Sequence, residues 1–290
     1  MGDEEYPNIW MRPERPARGP RPAYSRAQIT EAAVRVADAE GLEAASMRRI
    51  AAEIGAGAMS LYRYVPSRDD LIELMVDLIE GEQDLPERPT GDWRADLRLV
   101  AEQTRAMWLR HPWIARLHRG RPAFGPNQLR FLEFVVGTLD VGQPIDEILE
   151  LLDLLHGYVE RTVRGELMWV EESRRSGVGE SDWMARSGPY VRRLMDSGDY
   201  PMFTRIVVEA RQPHMNRDER FRSGLERVLD CIAVAIEGAA PAGNASGRDV
   251  ADLIDFSLAG PDEAPASDAP GGAAAGRDVP AGDAQRSRRR

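Results

Sequence analysis

The chain has 290 residues, 42% of them hydrophobic, enough for two domains with a sizeable core. No apolar run approaches membrane-spanning length, the start lacks the basic-then-apolar pattern of a secretory leader, and a single cysteine excludes an internal disulfide framework, so a cytoplasmic protein is predicted. A formal net charge of −10 excludes a generally basic surface, so contact with nucleic acid has to rest on a local cluster.

Residues 1–24 interleave Arg12, Arg15, Arg18 and Arg21 with prolines, a composition that predicts an extended, disordered arm. It reads either as a basic arm reaching phosphates or a minor groove, or as a solvated leader. The first helix is expected from Ser25, where Ser25 and Gln28 make a capping-box pattern, to Gly41. Its inward face carries Ile29, Ala32, Ala33, Val36 and Ala37.

Ser46 to Leu71, SMRRIAAEIGAGAMSLYRYVPSRDDL, reads as two short helices joined by a glycine turn, followed by a Pro-Ser break into a third. Ser46 is a good N-cap, and Ile50, Ala51 and Ile54 give the first of these an apolar face. Gly55 and Gly57 bracket the turn. The second is expected over 58–65, with Leu61 and Val65 inward and Met59, Tyr62 and Arg63 on the other side. Pro66 ends it, and Ser67 caps a long helix with the stripe Leu71, Leu74, Met75, Leu78 and Ile79. An exposed Met–Tyr–Arg face on so short a helix suits one that enters a DNA major groove. Spacing alone fits a plain helical hairpin equally well. Arg48, Arg49, Arg63 and Arg68 face only Glu53 before Asp69, so this segment is locally basic. All 38 basic side chains are Arg, which points to coding bias rather than to a role for Arg at any one site.

Gly41-Leu42-Glu43, Ser46-Met47-Arg48-Arg49-Ile50-Ala51 and Ser60-Leu61-Tyr62-Arg63-Tyr64-Val65-Pro66-Ser67-Arg68-Asp69-Asp70-Leu71 resemble the DNA-binding domain of the tetracycline-repressor family. The likeness covers about Ser25 to Gly81. Tyr64 stands where that family usually has His, Val65 where it has Phe, and Ala56-Gly57 where it has Val-Ser. These departures bear on base contacts rather than on the fold. The resemblance supports DNA-facing roles for Arg48, Ser60, Tyr62, Tyr64 and Arg68, while Met59 and Arg63 fall at positions that vary in the family. By chemistry, Arg63 is assigned to a guanine edge and Met59 to a thymine methyl. Ser60, Tyr62, Tyr64 and Arg68 are assigned to phosphates, and Arg48 to either.

Pro86 to Gly91 reads as a linker, so the DNA-binding domain is placed at 25–82 and a second domain at 92–238, with only helical periodicity in it. Asp92 caps a helix bearing Trp93, Leu97, Val100, Thr104 and Trp108, and His111-Pro112 breaks it. Helices follow over about 127–141 and 145–170, then a polar loop from Arg174 to Gly179. Further helices carry Trp183 and Tyr190, Phe203 and Ile206, and last Phe221 to Ile236. The 145–170 helix is apolar more than halfway round. With Phe221–Ile236 and its small-residue line Gly224, Val228, Cys231 and Ala235, it predicts a four-helix bundle completed by a second copy, although core packing in one chain fits the same stripes. Cys231 is expected to be an inert core thiol. Residues 239–290 read as a disordered tail; Val250, Leu253, Ile254 and Phe256 could form one docking helix in it, and an Arg cluster ends it.

The fold class is therefore all-α: a helix-turn-helix domain and a larger helical domain. The resemblance implies that the latter binds a small apolar effector and dimerises, releasing a palindromic DNA operator. Trp108, Trp113, His118, Phe131, Phe134, Tyr158 and Trp169 are the candidate pocket residues. The stretch His118-Arg119-Gly120-Arg121-Pro122 is similar to the one where the tetracycline-binding branch places a metal-chelating His. His118 has no spaced partner, so neither metal nor cofactor is predicted. No phosphate loop, nucleophile elbow or spaced His/Cys pair supports an enzyme. A helical dimer acting mainly in protein interaction is the alternative, and an activator is a third reading.

Overall fold

The computed structural model describes residues 8–13, 24–117, 124–211 and 215–238. All its regular elements are helical, with no strand among the described residues. Helix α1 (Arg26–Glu40) starts at the expected capping box and ends at Gly41. A 3-10 turn at Leu42–Ala44 leads into α2 (Met47–Glu53), α3 (Ala58–Leu61) and α4 (Arg68–Glu80). Ser46 and Ser67 cap α2 and α4 through their hydroxyls. Ile29, Ile50, Leu61, Val65, Leu71 and Met75 close the small core these four helices share.

Part of the expected arm is ordered. Residues Ile9–Met11 form a 3-10 turn, nucleated by the Asn8 side chain accepting from the Trp10 N–H. Ile9 is buried, the Trp10 indole donates to Glu73 of α4 at 2.7 Å, and Arg26 donates to the carbonyls of Ile9 and Arg12. An Ile–Trp pair among prolines and arginines has apolar area to bury, which composition averaged over 24 residues conceals. The rest of the arm, His118 with its neighbours through Pro122, and the 239–290 tail lie outside the described residues.

The second domain comprises α5 (Trp93–Arg110), α6 (Pro126–Leu139), α7 (Ile145–Ser176), α8 (Glu180–Ser197), α9 (Pro201–Glu209) and α10 (Arg217–Gly238). Helix α7 packs on α5, α6 and α10, and α5 also touches α6 and α10. It runs on through Arg174, where a polar loop was expected. Arg175 pairs with Glu172 one turn back, and the helix ends only at Gly177, in the left-handed conformation at φ 68°. Charge marks an exposed face here, not a loop.

Phe221, Leu225, Leu229 and Ile232, expected at a bundle with a second copy, are fully buried within this one chain. Gly224 of the small-residue line faces Tyr158 of α7, and Cys231 is exposed rather than core. Two ion-pair clusters reinforce the α5–α10 contact. Arg94 and Arg98 grip Glu226, whose carboxyl they hold below the usual carboxylate range, Arg98 most strongly. Arg105 joins Glu166 and Asp218.

Candidate nucleic-acid interface and effector cavity

The glycine turn between α2 and α3 is built around Gly55, at φ 69°, a region that side chains disfavour. Gly57, in contrast, has ordinary extended backbone and precedes α3. The Tyr24 hydroxyl donates to the Gly55 carbonyl at 3.0 Å, pinning the start of α1 to the turn. Sequence reading overlooked Tyr24, whose only signal was an aromatic beside a helix cap.

Helix α3 is a single turn, shorter than expected, and Tyr62 to Tyr64 continue as a turn. The sidedness is as expected: Leu61 and Val65 are fully buried, while Met59 is 79% exposed and Tyr62 and Arg63 are exposed. Arg48 is exposed on α2 and Tyr64 half-buried. The Ser60 hydroxyl donates to the Gly57 carbonyl and so caps its own turn. Arg49 is tied to Glu40 and Glu53.

Arg68, assigned from sequence to a phosphate, stays exposed but reaches back to the turn before α2. It donates to the carbonyls of Leu42 at 3.1 Å and Ala45 at 3.4 Å and approaches Glu43. It braces the turn before α2. Replacing Arg68 with Ala should lower stability by about 1 kcal/mol. The slope of log affinity against log salt should stay unchanged; a slope shallower by about one per site would assign Arg68 to a phosphate instead.

In the second domain α5, α6 and α7 enclose a cavity of about 240 Å³, lined by Val100, Ala101, Thr104, Phe131, Leu132, Val135, Leu149, Leu152, Asp153, Leu155, His156 and Val159. Of the six candidate pocket residues among the described residues, only Phe131 lines it. Trp108 stands behind it, edge-on to His156 with ring centres 5.7 Å apart. Phe134 is buried core. Tyr158 points the other way, stacking on Phe221 and donating to its carbonyl. Trp169 meets Trp183, and Trp113 donates to Asp38 of α1. The aromatic residues marked the core, and aliphatic side chains with three polar ones mark the cavity. A signal existed: Asp153 and His156 interrupt the apolar line Leu149, Leu152, Val159 of α7.

The cavity domain is joined to the reading domain by polar contacts. The buried Asp77 of α4 accepts from the backbone N–H groups of Asn127 and Gln128, so α4 supplies the N-cap of α6. Gly125 permits it, since a Cβ there would fall on the Asp77 carboxylate. The buried His111 sets one ring nitrogen 2.8 Å from Asp38 and the other 3.1 Å from Glu82. Among the described residues no cluster of His, Cys, Asp and Glu is arranged to hold a metal ion, and no helix is long and apolar enough to cross a membrane.

This geometry defines an all-α helix-turn-helix protein whose reading head is hydrogen-bonded to a cavity-bearing domain. Residues 29–75 match the family described as "Bacterial regulatory proteins, tetR family", and residues 85–236 match "Tetracyclin repressor-like, C-terminal domain". The chain is 36% identical over 230 residues, 79% of its length and 84% of the relative's, to the HTH-type transcriptional repressor DrrR1 of Streptomyces coeruleorubidus. Its structure resembles that of the Streptomyces coelicolor TetR family protein ActR in complex with (S)-DNPA, with a TM-score of 0.58 and 28% identity, covering 75% of this chain and 99% of that one. The complex of ActR with actinorhodin gives a TM-score of 0.56 and 26% identity, covering 73% and 98%. The chain belongs to the tetR family: it is a DNA-binding transcriptional regulator and not an enzyme.

Proposed function

We propose that the protein is a repressor that grips a palindromic operator as a homodimer in the cytoplasm and lets go when a small, largely apolar molecule fills the cavity between α5, α6 and α7. The observation that carries this reading is the cavity itself, whose wall helix α6 is capped by Asp77 of α4, the helix that follows the reading turn. ActR, a structural neighbour, is known with (S)-DNPA and with actinorhodin bound, which supports a small-molecule effector for this chain. A shift of α6 then alters the angle of α4, and a two-headed grip needs a fixed separation.

Support for the homodimer comes from surface the single chain leaves uncovered. Trp183, Met184 and Tyr190 of α8, Met202 and Ile206 of α9, Met168 of α7 and Val234 of α10 are all half or more exposed. So much exposed apolar side chain on a helical domain suits an interface. The exposed faces of α8 and α9 thus replace the buried stripe of α10 as the surface offered to a second copy.

On DNA, Arg63 is assigned to a guanine edge and Met59 to a thymine methyl, with Ser60, Tyr62 and Tyr64 on the backbone and Arg48 on either. Replacing Arg63 with Ala should weaken specific binding by about fivefold to 150-fold per half-site and relax preference at one position of each half-site. A selection from randomised half-sites reads that change directly. The reading as a whole is tested by fluorescence anisotropy on DNA from upstream of its own gene, at two salt concentrations and against scrambled DNA. Tight binding that survives competitor is expected. Weak binding, equal on both DNAs and lost in salt, would leave a protein-interaction module in its place.

A further inference from the structure

Thr104, Asp153 and His156 are the polar residues of the cavity wall, and they differ in depth. Asp153 and His156 are exposed, whereas Thr104 is 6% exposed. The Thr104 hydroxyl lies 3.2 Å from Oε1 of Gln83, itself buried beyond the end of α4. The other end of that amide, Nε2, donates to the Glu80 carboxylate at 2.5 Å. A carboxylate only accepts, so the amide orientation is fixed: its N–H₂ faces Glu80 and its carbonyl faces Thr104. The Thr104 hydroxyl is therefore the donor to Gln83, and it has one proton to give.

We propose that Thr104 is the specificity-determining residue that couples effector to DNA: a ligand carrying a hydrogen-bond acceptor oxygen on an apolar body draws the Thr104 hydroxyl away from Gln83 and so disturbs the end of α4. The inference rests on the cavity being the effector site. A ligand that donates to Thr104 uses a lone pair and leaves the bond to Gln83 intact. A ligand that accepts cannot. It strands a buried carbonyl, a state folded proteins avoid, and Gln83 regains a partner only by moving together with Glu80. Three residues before Glu80 lies Asp77, the cap of α6, so the two routes from cavity to α4 converge on the same turn of helix. This assigns the effector a chemical feature, a carbonyl-type oxygen, beyond mere bulk.

Two probes matched in size test it: 2-acetylnaphthalene, which has an acceptor oxygen, and 2-ethylnaphthalene, which has none. Binding to the full chain is followed by tryptophan fluorescence and release of labelled upstream DNA by anisotropy. Both are expected to bind, and the ketone to release DNA at about tenfold lower occupancy-corrected concentration. Thr104→Val, without ligand, is expected to hold DNA about tenfold more weakly and to respond equally to both probes, and Thr104→Ser to restore both behaviours. Equal release by the two probes from the unaltered chain, or undiminished DNA binding by a folded Thr104→Val, overturns the coupling while the effector cavity stands. Should Thr104→Val fail to fold, the probe pair on the unaltered chain decides alone. Binding of neither probe overturns the cavity reading and the coupling with it.

Discussion

Replacing Asp77 with Ala should lower stability by about 3 kcal/mol and make DNA binding less responsive to whatever fills the cavity. The buried carboxylate takes the Asn127 N–H at 2.9 Å, the Gln128 N–H at 3.1 Å and the Asn127 side-chain amide at 3.1 Å. Truncation leaves these donors unsatisfied at a helix N-terminus where water has little access. An ordinary N-cap is worth about 1 kcal/mol, and a charged acceptor serving several buried donors is worth more. Asp77→Asn keeps an acceptor oxygen but loses the charge that favours a helix N-terminus, so a loss of about half that size is expected. Urea denaturation measures the first effect, and the shift of DNA affinity on adding probe measures the second. An Asp77→Ala protein with normal stability would mean that α6 finds its cap elsewhere. One with reduced stability and a full ligand response would mean that the α4–α6 junction holds the domains together without carrying the signal.

Much of the reading domain could be seen in the sequence because its determinants are local. Ser25 with Gln28, Ser46, Gly55 and Ser67 act within one turn of themselves, and capping chemistry leaves a mark at fixed spacing. The buried line of Leu61 and Val65 followed for the same reason. The hydrogen bonds of Arg68 were not legible because its partners, the Leu42 and Ala45 carbonyls, lie more than twenty residues away and belong to the backbone, which has no residue-specific signature. The cavity was illegible in a different way. Aromatic residues were the obvious candidates, yet Trp113, Phe134, Tyr158 and Trp169 are occupied in packing and hydrogen bonding between helices. A cavity arises where three helices fail to fill the space between them, and the residues on its wall are mostly the aliphatic ones that elsewhere make core. Polar residues on an apolar face gave the better clue. Asp77, Asp96, Thr104, Asp153 and His156 each stand on or beside a stripe of α4, α5 or α7, and each caps, couples or lines something. The same holds for the bundle helices: α10 has a stripe that a partner could bury, and α5 and α7 of its own chain bury it first.

Replacing Arg105 with Met should destabilise the second domain by about 3–5 kcal/mol, and adding Glu166→Leu should recover most of that loss. Arg105 is the tie between α5, α7 and α10. Its Nε and Nη2 each meet a Glu166 oxygen at 3.0 Å, Nη2 also reaches Asp218 at 2.8 Å, and the guanidinium lies 4.8 Å from the Phe221 ring centre. Burial alone would lower the guanidinium pKa, but the hydrogen bonds to Glu166 and Asp218 outweigh it and raise it, so the guanidinium stays charged. Both members are almost enclosed, with side chains 13% and 11% exposed, so the stability of the pair depends on each answering the other. Removing only the cation strands the Glu166 carboxylate among apolar groups, whereas removing both exchanges an ion pair for packing of similar volume. The two single variants and the double one form a thermodynamic cycle, read by chemical denaturation. A double variant as unstable as Arg105→Met would show that the loss lies in the stem of Arg105 and its contact with Phe221, not in the stranded charge. The outcome bears on function because α5 and α7, the helices this pair joins, are two of the three that bound the cavity. If the cycle closes as expected, the double variant keeps the cavity's shape and therefore its ligand response, while Arg105→Met alone loses both.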